Sequence, residues 1–438
     1  MDNPVENARI KQQNRSAQNE KAGYGLGGRD ITHTIARVLT AIFFVTSFFE
    51  PYLNNVIGSI MKYYLVIVIG GVLFLYGKLK LRWYHYMIVG WALLKLLSGL
   101  WATDHTIMNS MLVSHIGMTV LLVVLTGCCS DKKMNDTLMF STMLGGFAIG
   151  FLSIFSHHAY DGFANRQVLV LFGYDNDPNN QASFLVLSIA ALLYFMADRR
   201  KKRRPVFYIL CIGAMAVNFY SLMMTGSRAG FVSAAVVFLY FFLFAGKITS
   251  ATGVLKKIGA LLILAAVGYL ILTQFLPEQI YERLFAFSDY EGGSGRTEIW
   301  ANAWELVWKD LNFFFGAGWG SYWGYNGVTR VLHNTFLSVF CDTGIVGFAL
   351  LTVPFFYGFF VFHKRRMVGL GCIFLATFVS IFFLEAINKR FFWNALILML
   401  LYYNTVVDGE RTAASASPAA KQLSAAETPA RAENQTAQ

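Results

Sequence analysis

Long apolar runs broken by short polar connections set the layout of the chain. A spanning helix needs about 20 mostly apolar residues, and twelve runs approach that length: 31–49, 60–76, 83–101, 107–128, 138–155, 181–197, 206–224, 229–245, 258–275, 336–362, 367–385 and 391–407. This predicts an all-α integral membrane protein with about twelve transmembrane helices, and an even number places both termini on one side. Two connections are longer, 156–180 and 276–335. In the second, Trp300, Trp304, Val307 and Trp308 recur at helical spacing, with Glu298, Asn302, Glu305 and Lys309 on the other face. That pattern predicts an amphipathic helix, lying at the membrane interface or packed as a lid on the bundle. The polar segment 1–30 has no small-residue cleavage pattern, so the first helix is expected to act as a signal-anchor. The tail 408–438, rich in Ala, Ser and Thr, is expected to be disordered. The resulting division is 1–30, helices one to nine over 31–275, a large loop over 276–335, helices ten to twelve over 336–407, and the tail.

Composition agrees. Of 438 residues 56% are hydrophobic and 14% charged, against roughly a quarter charged in soluble domains, which excludes a soluble enzyme. The net charge of +11 suggests nucleic acid until its position is considered. Seventeen basic residues fall in one alternating set of connections (Lys78, Lys80, Arg82, Lys132, Lys133, six within 199–204, Lys247, Lys256, Lys257 and three in 364–366), and four in the alternate set of short connections: Arg166, Arg228, Lys389 and Arg390. By the positive-inside bias the first set is cytoplasmic and the second outward, with both termini cytoplasmic. The charge is therefore a topology signal, and no nucleic-acid partner is expected. Five Cys in or beside apolar runs show neither disulfide nor zinc spacing.

Ionisable groups at outer helix ends are the functional candidates. In the turn Thr225-Gly-Ser-Arg-Ala-Gly230, Arg228 offers a planar donor fork suited to phosphate oxygens; its bland alternative is snorkelling to the interface. Arg296 precedes the amphipathic helix, where a cation and a helix N-terminus together favour an anion, or else it forms a surface salt bridge to Glu298. His333, followed by Asn334, stands at an outer helix start with Asp342 further along the same helix. A neutral imidazole there can take a proton from a sugar hydroxyl, although a lone His is more often an ordinary hydrogen-bonding residue. The rim 174–182, with Asn179 among its amides and Arg166 upstream, suits a sugar or diphosphate and equally an ordinary N-cap turn. Its two carboxylates, Asp175 and Asp177, are a weak metal signal, so neither metal nor cofactor is expected. The Gly316, Gly318, Gly320 run lacks the preceding strand that a dinucleotide loop requires.

The ordered set Ser227-Arg228, Gly295-Arg296 to Trp300, Gly316-Ala-Gly318, His333-Asn334 and Asp342-Thr-Gly344 to Gly347 resembles the O-antigen ligase and polymerase family. The stretch Asp177 to Ala182 is similar to that family's Pro-Asn start of a middle helix, and the resemblance runs over roughly residues 30–407. It implies a glycosyltransferase C-like membrane enzyme of the bacterial inner membrane. Such an enzyme transfers a glycan from undecaprenyl diphosphate at the periplasmic face without metal. Carried over, His333 would be catalytic, and Arg228 and Arg296 would bind the donor diphosphate. Arg166, Asn179, Asn334 and Asp342 would support them. The implied partners are the undecaprenyl diphosphate-linked glycan, a lipid A-core acceptor and membrane lipids. Ligase is preferred over polymerase. The short tail weighs against a protein O-oligosaccharyltransferase, and the clustering of polar groups at outer helix ends weighs against a twelve-helix transporter.

Overall fold

The computed structural model describes residues 31–129, 131–155, 158–160, 166–197, 204–246, 251–285 and 295–415, and 80% of these residues are helical. Each of the twelve apolar runs coincides with a helix: α1 (Ile31–Ile57), α2 (Ile60–Tyr76), α3 (Trp83–Ser98), α4 (Thr106–Cys128), α5 (Lys132–Phe155), α6 (Pro178–Ala197), α7 (Pro205–Met224), α8 (Arg228–Phe244), α9 (Ala251–Phe275), then α13 (Thr335–Lys364), α14 (Val368–Phe382) and α15 (Arg390–Ser415). Among the described residues seven (α1, α4, α5, α6, α7, α13, α15) are long and apolar enough to cross a membrane by length and composition. Helices α2, α8 and α14 are shorter. The chain is an all-α membrane protein. The short helices α10 (Glu278–Phe285), α11 (Arg296–Trp308) and α12 (Asn312–Phe315) occupy the large loop.

Helix α6 is the centre of the bundle: from Gln181 to Phe195 every side chain is buried, as expected of a helix that is apolar all round. Small residues admit its neighbours. A Cβ at Gly146 of α5 would collide with Ser188, and one at Gly230 of α8 with Ala182. Buried polar groups add fixed contacts, Asn218 donating to Ser188 at 2.9 Å and Ser188 to the Met143 carbonyl at 2.8 Å, the kind of interhelical bonding favoured in apolar surroundings.

The connection before α6 holds a small antiparallel sheet, β1 (His158–Tyr160), β2 (Gln167–Leu171) and β3 (Tyr174–Asp175), in that order. Strand pairing there was not expected from the sequence. Phe172 and Gly173, both with positive φ, make the two-residue hairpin that matches strand twist. Gln181 fixes the sheet on the bundle, accepting from the Leu169 amide at 3.1 Å and donating to Ser153 at 3.0 Å.

At the opposite end of the bundle Asp408 pairs with Lys80 and Arg82, and Glu410 with Arg365. Helix α15 thus continues through Ser415, past position 407 where the sequence pattern ends it, because these acids find partners there. The expectation of disorder for the remainder of the tail lies outside the described residues, as does that for segment 1–30.

Candidate functional site

Three arginines converge on the turn between α7 and α8. Arg166 donates from Nε to the Thr225 carbonyl at 2.9 Å and from its terminal nitrogen to Asn179 Oδ1 at 3.1 Å. Arg283 of α10 donates to the Gly226 carbonyl at 3.1 Å, and Arg228 to the Arg283 carbonyl at 2.7 Å. Gly226 adopts φ +57, a left-handed conformation natural to glycine, and this turns the carbonyls of 225 and 226 toward the guanidinium groups. Ser227 caps α8 through the Gly230 amide and donates to Asn179 Oδ1 at 2.9 Å. Arg228 is therefore held by α10 and does not snorkel as an isolated side chain. Arg283, which the sequence reading did not single out, is the third cation of this turn. Its only sequence signal is the amphipathic pattern of 278–285.

On the other side of the first turn of α6 lies His333. Asp177 caps α6, accepting from the Asn179 and Asn180 amides at 2.8 and 3.1 Å, and its charge reaches both Arg296 and His333. His333 adopts φ +49, a strained conformation for an L-residue, of the kind that clusters at functional sites. Its neighbours enforce that conformation. The Leu332 carbonyl accepts from Trp300 at 2.7 Å and the Leu332 amide donates to Glu385 at 3.3 Å. Asn334 caps α13 through the Leu337 amide at 3.0 Å, and Thr335 bridges the Leu384 carbonyl and the Ala386 amide. Asn334 is thus the cap that positions His333. Nδ1 of His333 is buried and carries no hydrogen bond from a described residue. Burial and then the Arg296 charge lower the imidazole pKa below its usual 6.5, with Asp177 acting in the opposite direction. The ring is neutral at pH 7 and suited to accept a proton. Burial also lowers the Arg296 pKa, opposed by Asp177; among the described residues no ion pair joins Arg296 to Glu298.

Glu385, in the α14–α15 connection, is the hub that sequence reasoning missed. It accepts from Tyr322 at 2.7 Å and Ser338 at 3.2 Å besides Leu332, and burial raises its pKa. Helix α11 rests on this assembly through Ile299, Ala303, Leu306 and Val307, while Trp304 and Trp308 are 47% and 67% exposed. Of the predicted tryptophan stripe Trp300 and Val307 are the more buried, while Trp304 packs on Phe340 and Trp308 stacks on Phe313 with the rest of their surface exposed. Trp304 and Trp308, with Leu311, Phe314 and Phe315, leave an exposed apolar edge.

Asp342 is not in this cluster. It lies in α13 and pairs with Lys95 of α3 at 2.9 Å, both side chains almost wholly buried, and accepts from the Gly320 amide at 2.8 Å. The glycine run and the Asp-Thr-Gly segment meet backbone to backbone. Ala317 donates to the Cys341 carbonyl at 2.7 Å, and a Cβ on Gly316 would strike the backbone of Asp342 and Thr343. α13 bends at Gly344, φ 62. These motif residues form a structural joint beneath the site. Among the described residues no group of three His, Cys, Asp or Glu could hold a metal ion.

The described geometry joins Arg166, Asn179, Ser227, Arg228 and Arg283 on one side of the α6 N-terminus and Asp177, Arg296 and His333 on the other. Among the contacts of the described residues none joins Arg228 directly to Arg296. The arrangement can hold an anion of several oxygens beside a neutral base. None of the curated proteins compared with the chain matches it. Residues 213–352, from within α7 through the bend of α13, match the family model described as O-Antigen ligase. That stretch contains Arg228, Arg283, Arg296, His333 and Asp342, and it is this part of the chain that is similar to the O-antigen ligase family.

Proposed function

We propose that the chain is an O-antigen ligase with twelve spans and cytoplasmic termini in the bacterial inner membrane. It transfers a polysaccharide from undecaprenyl diphosphate to lipid A-core at the periplasmic face, without metal. The observation that carries this reading is His333, held in a left-handed backbone conformation and kept neutral by burial and by Arg296, together with a turn whose carbonyls accept from Arg166 and Arg283 and whose Arg228 donates to Arg283. His333 removes the proton from an acceptor hydroxyl as that oxygen attacks the anomeric carbon of the donor sugar. The bond from that carbon to the diphosphate breaks, and undecaprenyl diphosphate departs with its electron pair. Arg228 and Arg296 offset the charge that develops on it, the electrostatic help that a metal would otherwise give. Arg166 and Asn179 keep the 225–228 turn in shape. The exposed Trp304 and Trp308 seat α11 among lipid headgroups near the site.

A lipopolysaccharide gel of a deletion strain, with and without complementation, tests this. The ladder disappears while lipid-linked polymer accumulates, and it returns on complementation. A product with one repeat instead identifies a polymerase and overturns the ligase reading.

A pH profile tests the base. Because the His333 pKa lies below 6.5, activity holds as pH falls through that value and drops only below it. Arg296→Gln removes the cation that opposes protonation, so the acid limb of kcat/KM moves to higher pH. Asp177→Asn removes the anion that favours imidazolium and moves it lower. An acid limb indifferent to both substitutions would assign the titration to another group.

A further inference from the structure

On the far side of the first turn of α6 from the arginine turn, a cavity of about 330 Å³ opens between α1, α4, the β3–α6 connection and the α14–α15 connection. This volume falls within the roughly 300–1,000 Å³ of small-molecule sites. The wall is built of amides and hydroxyls: Asn54, Asn176, Asn180, Ser110 and Ser114, with the Tyr174 ring among them. Asn180 is 8% exposed and its Oδ1 is buried without a hydrogen-bond partner, an acceptor whose desolvation a ligand donor would offset. Arg390, the one guanidinium on the wall, is already taken by Glu50 in a bidentate pair of 2.7 and 2.7 Å. The lining therefore offers mainly amide and hydroxyl groups, with Lys389 as a further cation, and suits a hydroxyl-rich ring. Asn179 and Asn180 are consecutive: the first serves the arginine turn, the second this cavity. Lys389 lines the cavity, and Asp177, which also acts on His333, lies within range of its charge.

We propose that this cavity is a saccharide subsite, holding one sugar residue of the acceptor or of the donor glycan next to the reacting groups. The proposal rests on the transferase reading above. Tyr174 offers a ring face to the sugar, and the asparagine and serine side chains pair with its hydroxyls.

Asn54 and Ser110 are exposed at the rim, so Asn54→Trp and Ser110→Trp fill the cavity without disturbing the core. Asn54→Gln and Ser110→Thr are the conservative controls. The assay measures transfer from undecaprenyl diphosphate-linked glycan to lipid A-core with each substrate varied while the other is saturating, on protein whose folding is checked by thermal unfolding. Each tryptophan variant raises KM tenfold or more for one substrate with kcat changed less than threefold, and Asn54→Gln and Ser110→Thr, which keep a hydrogen-bonding group, raise the same KM less. A rise in the acceptor arm places the acceptor sugar in the cavity; a rise in the donor arm places the donor glycan there. Wild-type transfer with both tryptophan variants folded and within twofold in both arms overturns the subsite alone. A folded wild-type protein without transfer overturns the transferase reading and the subsite with it.

Discussion

His333→Ala lowers turnover by about 10²-fold or more, the scale of general acid–base contributions, and leaves donor binding largely intact. One feature of the backbone makes the choice of variant matter. His333 sits at φ +49, a conformation that costs alanine on the order of 1–3 kcal/mol and that asparagine visits more readily. His333→Asn therefore keeps the loop and removes the base. If both variants lose turnover to a similar degree, the loss belongs to the imidazole. If only alanine does so, His333 serves the shape of the α13 start. Arg228→Ala and Arg296→Ala act differently, weakening donor binding as well as turnover, because each deletes a charge-assisted contact that lysine restores only in part. Donor affinity and single-turnover rate, measured on folded protein for all four variants, separate the roles. Folded His333→Asn with near-normal turnover would remove the base from the mechanism.

Apolar runs are legible because hydrophobicity along one helix is a local property. All twelve correspond to helices, and those of α1 and α15 fall short only where Glu50 and Asp408 find distant partners. Motif residues stood out in the sequence as a set, and in the structure Arg228 meets Arg283 while Arg296 and His333 both feel the charge of Asp177 at the start of α6. Their supports did not stand out. Arg283 and Glu385 look like ordinary polar residues of a loop until α10 folds against the 225–228 turn and the α14–α15 connection reaches Leu332. The sheet before α6 was hidden because its strands hold five, three and two residues, too short for alternation to register. The tryptophan stripe predicts the helix but not which side faces the protein, because aromatic side chains satisfy a helix period equally well against protein or against solvent and lipid. Only packing decides, and it chose Ile299 and Ala303 for the interior.

Asp342 shows most plainly how a motif residue takes its meaning from a partner far away in sequence. Lys95 interrupts the run Ala92-Leu-Leu-Lys-Leu-Leu-Ser98 in the last turn of α3, and a cation in such a run needs a counter-charge. It finds Asp342 at 2.9 Å, with the Trp319 ring 4.9 Å from the ammonium. Removing one partner of a buried pair costs about 3–5 kcal/mol, because the other charge is left desolvated. Lys95→Met keeps most of the side-chain volume and is expected to destabilise the protein by that amount in detergent unfolding. Adding Asp342→Asn, which retains an acceptor for the Gly320 amide, removes the orphaned charge and recovers the larger part. The same cycle reaches the site. Gly320 leads directly to Tyr322, whose hydroxyl holds Glu385, and Glu385 holds the Leu332 amide beside His333. Lys95→Met should therefore lower turnover more than donor affinity, and the double variant should restore both stability and rate together. If stability returns in the double variant without turnover, the lysine has a part in the reaction separate from its pairing; if Lys95→Met costs less than about 1 kcal/mol, the pair is hydrated and the joint is held by its glycine contacts alone.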